Sequence, residues 1–103
     1  MHIKEGSLIA RIAAFVLKTH NAAIVIGNVI YIHGVHKEAF LSDKRWLLHE
    51  LQHVVQYNRE GVGRFILQYI FNHIKFGYSN NPYEVEARNA ETDETLLDKY
   101  KIL

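Results

Sequence analysis

Residues 46–56 read Trp46-Leu-Leu-His-Glu-Leu-Gln-His-Val-Val-Gln56, and the phase of this run decides how the rest of the chain must be arranged. At about 100° per residue, Leu47, Leu48, Leu51, Val54 and Val55 fall on one stripe of a helix. His49, His53 and Gln56 fall nearly opposite, and Glu50 lies at the edge between the two sides. Five aliphatics on one side demand a packed partner layer. The two imidazoles one turn apart form a His-Glu-x-x-His pattern, in which both rings can address a single ion. Ser42-Asp43 starts this helix with an acidic residue in its first turn, and the helix continues to about Asn58 before Gly61 stops it.

Upstream, Ala22 to Ile32 reads as a β-hairpin. Two β-branched runs flank Gly27-Asn28, and glycine at the first central position suits a tight primed turn. Gly34 ends the second strand, and Val35 to Leu41 reads as an irregular connection or a short extra strand. Before the hairpin, Ser7 caps a first helix running to about Lys18, with Ile9, Ile12, Ala13 and Val16 at i, i+3, i+4 and i+7 as its inward stripe. Downstream, Gly63 to Phe76 reads as a third helix. Its apolar residues (Phe65, Ile66, Tyr69, Ile70, Phe71, Ile74, Phe76) are assigned to core packing, with a dimer contact or the lining of a substrate groove as the alternative. A fourth helix begins with Asn81 as cap and Pro82 at its first position. The order, an N-terminal helix, a small hairpin sheet and then three helices, makes an α+β fold in one domain spanning residues 1–103.

The composition sets limits on function. The 103 residues are 49% hydrophobic and 22% charged, with one proline, as expected of a compact domain. A net charge of +1 offers no overall basic field for nucleic acid or an anionic membrane, so neither is expected as a partner. The absence of cysteine excludes disulfides, thiolate metal sites and cysteine nucleophiles. Any metal must be held by histidine and carboxylate. The apolar stretch Leu8 to Leu17 is interrupted by Arg11 and too short to span a bilayer, and it makes a weak secretion signal, so a cytoplasmic protein is expected.

Two histidines at i and i+4 can both reach one tetrahedral zinc ion at about 2.0–2.1 Å, and the neighbouring Glu50 can then reach a water on that metal. The competing reading is a pair of solvated histidines on the outer face of an amphipathic helix. No histidine further along the same helix supplies a third ligand, since Gln56 and Arg59 stand three and six residues after His53. A carboxylate from the fourth helix is the alternative. Glu84, Ala87, Arg88 and Glu91 share one face there, and small Ala87 permits close approach. Each carboxylate also has a structural explanation: Glu84 as part of a capping box with Asn81, Glu86 and Glu91 as surface charges.

Together, Trp46 to Gln56 and Asn81-Pro-Tyr-Glu-Val-Glu-Ala87 resemble the gluzincin metallopeptidases, and in particular their smallest stand-alone forms, the minigluzincins. The hairpin before the metal helix fits the same scaffold, so the resemblance covers about residues 20 to 95. It implies that His49, His53 and Glu84 bind Zn²⁺, with Glu50 as general base, in a peptidase acting on peptide or unfolded protein; a monomer or weak homodimer is expected. Many relatives have aspartate where this chain has Arg88. Glu91, one turn on, is expected to substitute by hydrogen-bonding one of the histidines. Tyr78, Tyr83 and His73 are the candidates for stabilising an oxyanion, and Val29 to His33 is the candidate edge strand for an extended peptide. The same scaffold also accommodates a latent or non-catalytic zinc module, with the tail Asp98 to Leu103 lying across the cleft, or a protein-interaction domain.

Overall fold

The computed structural model describes residues 1–17 and 19–100. Three strands, β1 (His2–Lys4), β2 (Ala22–Ile26) and β3 (Val29–His33), form one sheet in the order β1-β3-β2. β2 and β3 are the antiparallel hairpin, in register Ile26 with Val29 and Ala22 with His33. Gly27 takes φ +62°, the left-handed conformation that the tight turn needs. Gly34 is more constrained: its φ is +82°, and a Cβ there would fall 2.3 Å from the carbonyl oxygen of His20.

The short β1 runs parallel to β3, with Ile3 opposite Ile30 and buried between exposed His2 and Lys4. It makes β3 the central strand. The edge expected at Val29 to His33 is therefore covered, and the free hairpin edge belongs to β2. Three residues carry too short an alternation to be read from sequence.

The helices are α1 (Leu8–Leu17), α2 (Lys37–Ser42), α3 (Lys44–Glu60), α4 (Val62–Phe76), α5 (Pro82–Asn89) and α6 (Leu96–Lys99), with a 3-10 turn at Ala90–Thr92. The Ser7 cap is present, its Oγ accepting from the Ala10 amide at 3.4 Å. The expected end of α1 at Lys18 lies outside the described residues. Residues 37–42 form a helix rather than an extended connection, because Phe40 is fully buried and anchors that one turn and a half. Asp43 accepts from the Trp46 amide at 3.2 Å and is the cap of α3, Ser42 belonging to the turn before.

α3 crosses the core. Leu48, Leu51 and Val54 are fully buried beside Val25, Ile30 and Ile32 of the sheet, and each such side chain contributes about 1.5–3 kcal/mol by leaving water. Its opposite side is not open to solvent. His53 and Gln56 are buried there under α4 and α5, and Glu50, at the edge of that side, is buried as well.

Two helices depart from their expected orientation. α1 turns Ala10 and Ala14 inward, so that small residues at i and i+4 allow close contact with the sheet, while Ile9 and Ile12 are exposed. α4 buries only Phe65, so its apolar residues are not core packing as a set. No helix of the described residues is long and apolar enough to cross a membrane.

Candidate metal centre

The site is built where α3 meets α5. Asn81 fixes the start of α5: its side chain accepts from the Tyr83 amide at 3.0 Å and donates to the Tyr69 carbonyl at 3.2 Å, with Pro82 opening the helix. Ala87 is fully buried and brings α5 against α3. Glu84 thereby projects onto the two motif histidines instead of closing a capping box. Its Oε1 lies 2.9 Å from His49 Nε2 and 3.3 Å from His53 Nε2. Its Oε2 accepts a 2.5 Å hydrogen bond from the Tyr69 hydroxyl on α4.

The far nitrogens of both rings are also held. His49 Nδ1 is 2.9 Å from Glu91 Oε2, so Glu91 acts on His49 as expected, from the 3-10 turn beyond the end of α5. Glu91 in turn accepts from Arg45 at 3.1 Å. His53 Nδ1 is 2.8 Å from Gln56 Oε1. The Gln56 amide has a single workable orientation, because its nitrogen donates to the Tyr83 carbonyl at 3.0 Å and to Glu86 at 2.9 Å. Its oxygen must therefore face His53, and only a proton on Nδ1 can meet it. In the neutral ring this leaves the Nε2 lone pair directed at Glu84.

The residues fit a zinc ion. The donor set is two imidazole nitrogens and a carboxylate, borderline ligands suited to Zn²⁺, each oriented by an outer partner. A tetrahedral site with bonds of about 2.1 Å holds its donor atoms roughly 3.4 Å apart, close to the 2.9 and 3.3 Å spacings found. The His49, Glu50 and His53 donor atoms also lie within 4.8 Å of one another.

The electrostatics follow from packing. Burial lowers the basicity of both imidazoles, but hydrogen bonding to Glu84 and the nearby Glu50 charge outweigh it. His49 is raised overall, and His53 rises to about 9. Burial disfavours the Glu84 anion, yet its hydrogen bonds with His49 and His53 hold its carboxyl well below the usual carboxylate range. Glu50 differs. Burial pushes its carboxyl up to about 7, against the pull of His53 and His49. A carboxyl with that affinity for protons can exchange one near neutral pH.

Glu50 stands between two clefts that run along β2. One, of about 350 Å³, is largely apolar and is lined by Val25, Ile26, Phe65, Ile66 and Ile70, with Glu50, His53 and Glu84 at its polar end. The other, of about 490 Å³, includes Ala22, His49, Trp46 and Glu91. Ala23, Glu50 and Tyr78 line both.

Comparison with known proteins returns no match. No family model, no curated protein and no solved structure matches this chain. The case for a function rests on the side chains alone.

Among the oxyanion candidates, Tyr78 lines both clefts, and burial pushes its hydroxyl up to about 12. Tyr83 donates to Glu60 at 2.8 Å and is directed away, while exposed His73 stacks on Tyr69 and lines neither cleft. Sequence reasoning missed two residues. Tyr69 was counted with an apolar stripe, although a partly buried phenol needs a hydrogen-bond partner. Gln56 was placed on the histidine side without a role, although the three-residue spacing to His53 puts their side chains in reach.

Proposed function

We propose that this chain is a minimal zinc metallopeptidase, with His49, His53 and Glu84 as metal ligands and Glu50 as general base. The observation that carries the reading is the convergence of both His Nε2 atoms on one Glu84 oxygen, with each Nδ1 held from outside by Glu91 or Gln56. Histidines that are solvated on an outer face would have none of these partners, and His53 is only 7% exposed. His49, His53 and Glu84 would hold the zinc, which would supply Lewis acidity to a water and to the scissile carbonyl.

The chain's own residues do the rest. Glu50 accepts a proton from the attacking water at its carboxylate and returns it to the departing amine. The Tyr78 hydroxyl, protonated at neutral pH, is the cleft donor available to a developing oxyanion. The free edge of β2 offers backbone hydrogen bonds to an extended peptide, and the apolar cleft beside it takes an apolar side chain. None of residues 93–100 lines either cleft, so the described part of the tail gives no support to a latent form with the tail across the site; 101–103 lie outside the described residues.

Glu50→Gln tests the assignment of the base. The variant is expected to keep its zinc and lose about 10²–10⁴-fold in hydrolysis of an unfolded protein substrate. Unchanged hydrolysis would remove Glu50 from the mechanism.

A further inference from the structure

The net charge of +1 is the sum of unlike parts. All 11 acidic residues lie outside residues 6–37 and 61–83, the two segments that contain α1 and α4. The charged side chains described on these two helices are Arg11, Arg64 and Lys75, all exposed. The same helices carry the large apolar side chains left in water: Leu8 at 69% exposure, Phe15 at 84%, Leu67 at 71%, Phe71 at 60% and Ile74 at 80%.

The two helices border one cleft. Ala13 of α1 and Ile66 and Ile70 of α4 line the same apolar cleft, so the two helices are its flanks. Cations and apolar groups share stripes along each helix. Leu8, Arg11 and Phe15 follow at i, i+3 and i+7, as do Arg64, Leu67 and Phe71. The Lys75 ammonium sits 5.9 Å from the Phe71 ring centre and 5.2 Å from that of Phe76. α1 keeps Ala10 and Ala14 for the sheet and turns Leu8, Ile12 and Phe15 outward. A helix that faced only water would do the reverse.

We infer that the outer face of α4 docks on an anionic lipid surface. Apolar side chains flanked by cations, with no acidic residue in either segment, match the boundary between acyl chains and negative headgroups. A second copy of the chain fits the face less well. A two-fold pairing would bring two copies of this cationic face together, with no carboxylate in residues 61–83 to meet Arg64 and Lys75. The protein would lie on the bilayer without entering it, since no helix of the described residues is long and apolar enough to cross. The net charge alone points away from a membrane, because it averages over this segregation. The inference does not depend on the metal.

Vesicle flotation of the full chain tests it, comparing phosphatidylcholine vesicles containing phosphatidylglycerol with pure phosphatidylcholine. Binding to the anionic vesicles is expected to be at least about tenfold tighter and to weaken with salt, each cation being worth about fivefold at such a surface. Phe71→Glu with Ile74→Glu should cut this binding by about tenfold or more with the melting temperature unchanged, because both side chains are exposed. Arg64→Glu with Lys75→Glu should remove the preference for anionic lipid. No binding to either vesicle, equal binding to both, or binding indifferent to the Phe71/Ile74 change would overturn the proposal. So would a dimer broken by the same changes in a chain that ignores vesicles, which would assign the face to a second copy.

Discussion

α3 and α4 are adjacent helices of 17 and 15 residues, and they use their composition in opposite ways. α3 is rich in charged and amide side chains, yet it is the most deeply packed helix of the fold. α4 is dominated by aliphatic and aromatic residues, yet it buries only Phe65. Burial here follows the availability of partners more than hydrophobicity. His49, His53 and Gln56 of α3 are buried or half-buried with partners in place: Glu84 of α5 and Glu91 of the 3-10 turn for His49, Gln56 of the same helix for His53, and Glu86 and the Tyr83 carbonyl of α5 for Gln56. Among the described residues no layer covers the outer side of α4, so its apolar residues stay exposed, Ile66 and Ile70 at the apolar cleft.

Substitutions on the two helices should therefore differ most sharply. Leu51→Ala in α3 is expected to cost about 2–5 kcal/mol, measured by chemical denaturation, because it opens a cavity in a fully buried position. The chemically identical Leu67→Ala in α4 should stay within about 0.5 kcal/mol of the parent. Equal costs would show that α4 is covered in solution.

The polar side of α3 can be probed next. Gln56→Leu removes the acceptor that sets the His53 tautomer and is expected to weaken zinc binding by about 10–100-fold in competition with a chromogenic chelator. Unaltered affinity would reduce Gln56 to a packing role.

A smaller effect concerns pH in the chelator-treated chain. His53 rises from an ordinary 6.5 to about 9 and Glu50 from 4.5 to about 7, so folding favours the protonated form of each. Such a contribution is complete below the unfolded value and is lost as pH rises through the folded one. Glu84, shifted downward, contributes above its ordinary 4.5 and is lost on the acid side. The melting temperature should then fall by several degrees as pH is raised from about 4.5 to 9. Saturating zinc, which takes the place of protons on the imidazoles, should flatten that fall. A melting temperature rising over this range would contradict the charge assignments.

What could be read from the sequence divides along the same line. The helix period alone brought His49 and His53 together opposite the leucine stripe. Asn81-Pro82 marked a helix start, and Glu84 followed from that start and from the resemblance of its surroundings to a known peptidase motif. Glu91 was legible from its place one turn beyond Arg88. Partner choice was not legible. Nothing local in Tyr69 shows that it reaches Glu84 from another helix, and the burial of Gln56 depends on Glu86 and Tyr83, which are about thirty residues away in sequence. α1 departs from expectation because periodicity shows which residues share a stripe and not which stripe turns inward, and α4 because an apolar composition does not show whether a layer covers it. In α1 the alanines take the inner side. β1, α2 and α6 are held by one or two anchors each, Ile3, Phe40 and Leu96, and are too short to have a period.

Three donor atoms, from His49 and His53 of α3 and Glu84 of α5, are proposed to hold one divalent ion. Elemental analysis of freshly purified chain, beside a His53→Ala variant whose fold is checked by circular dichroism, measures this directly. The result predicted is about one zinc per chain in the parent and almost none in the folded variant. A folded parent that carries no zinc and takes none up when it is supplied, or a variant that retains it in full, would contradict the metal centre.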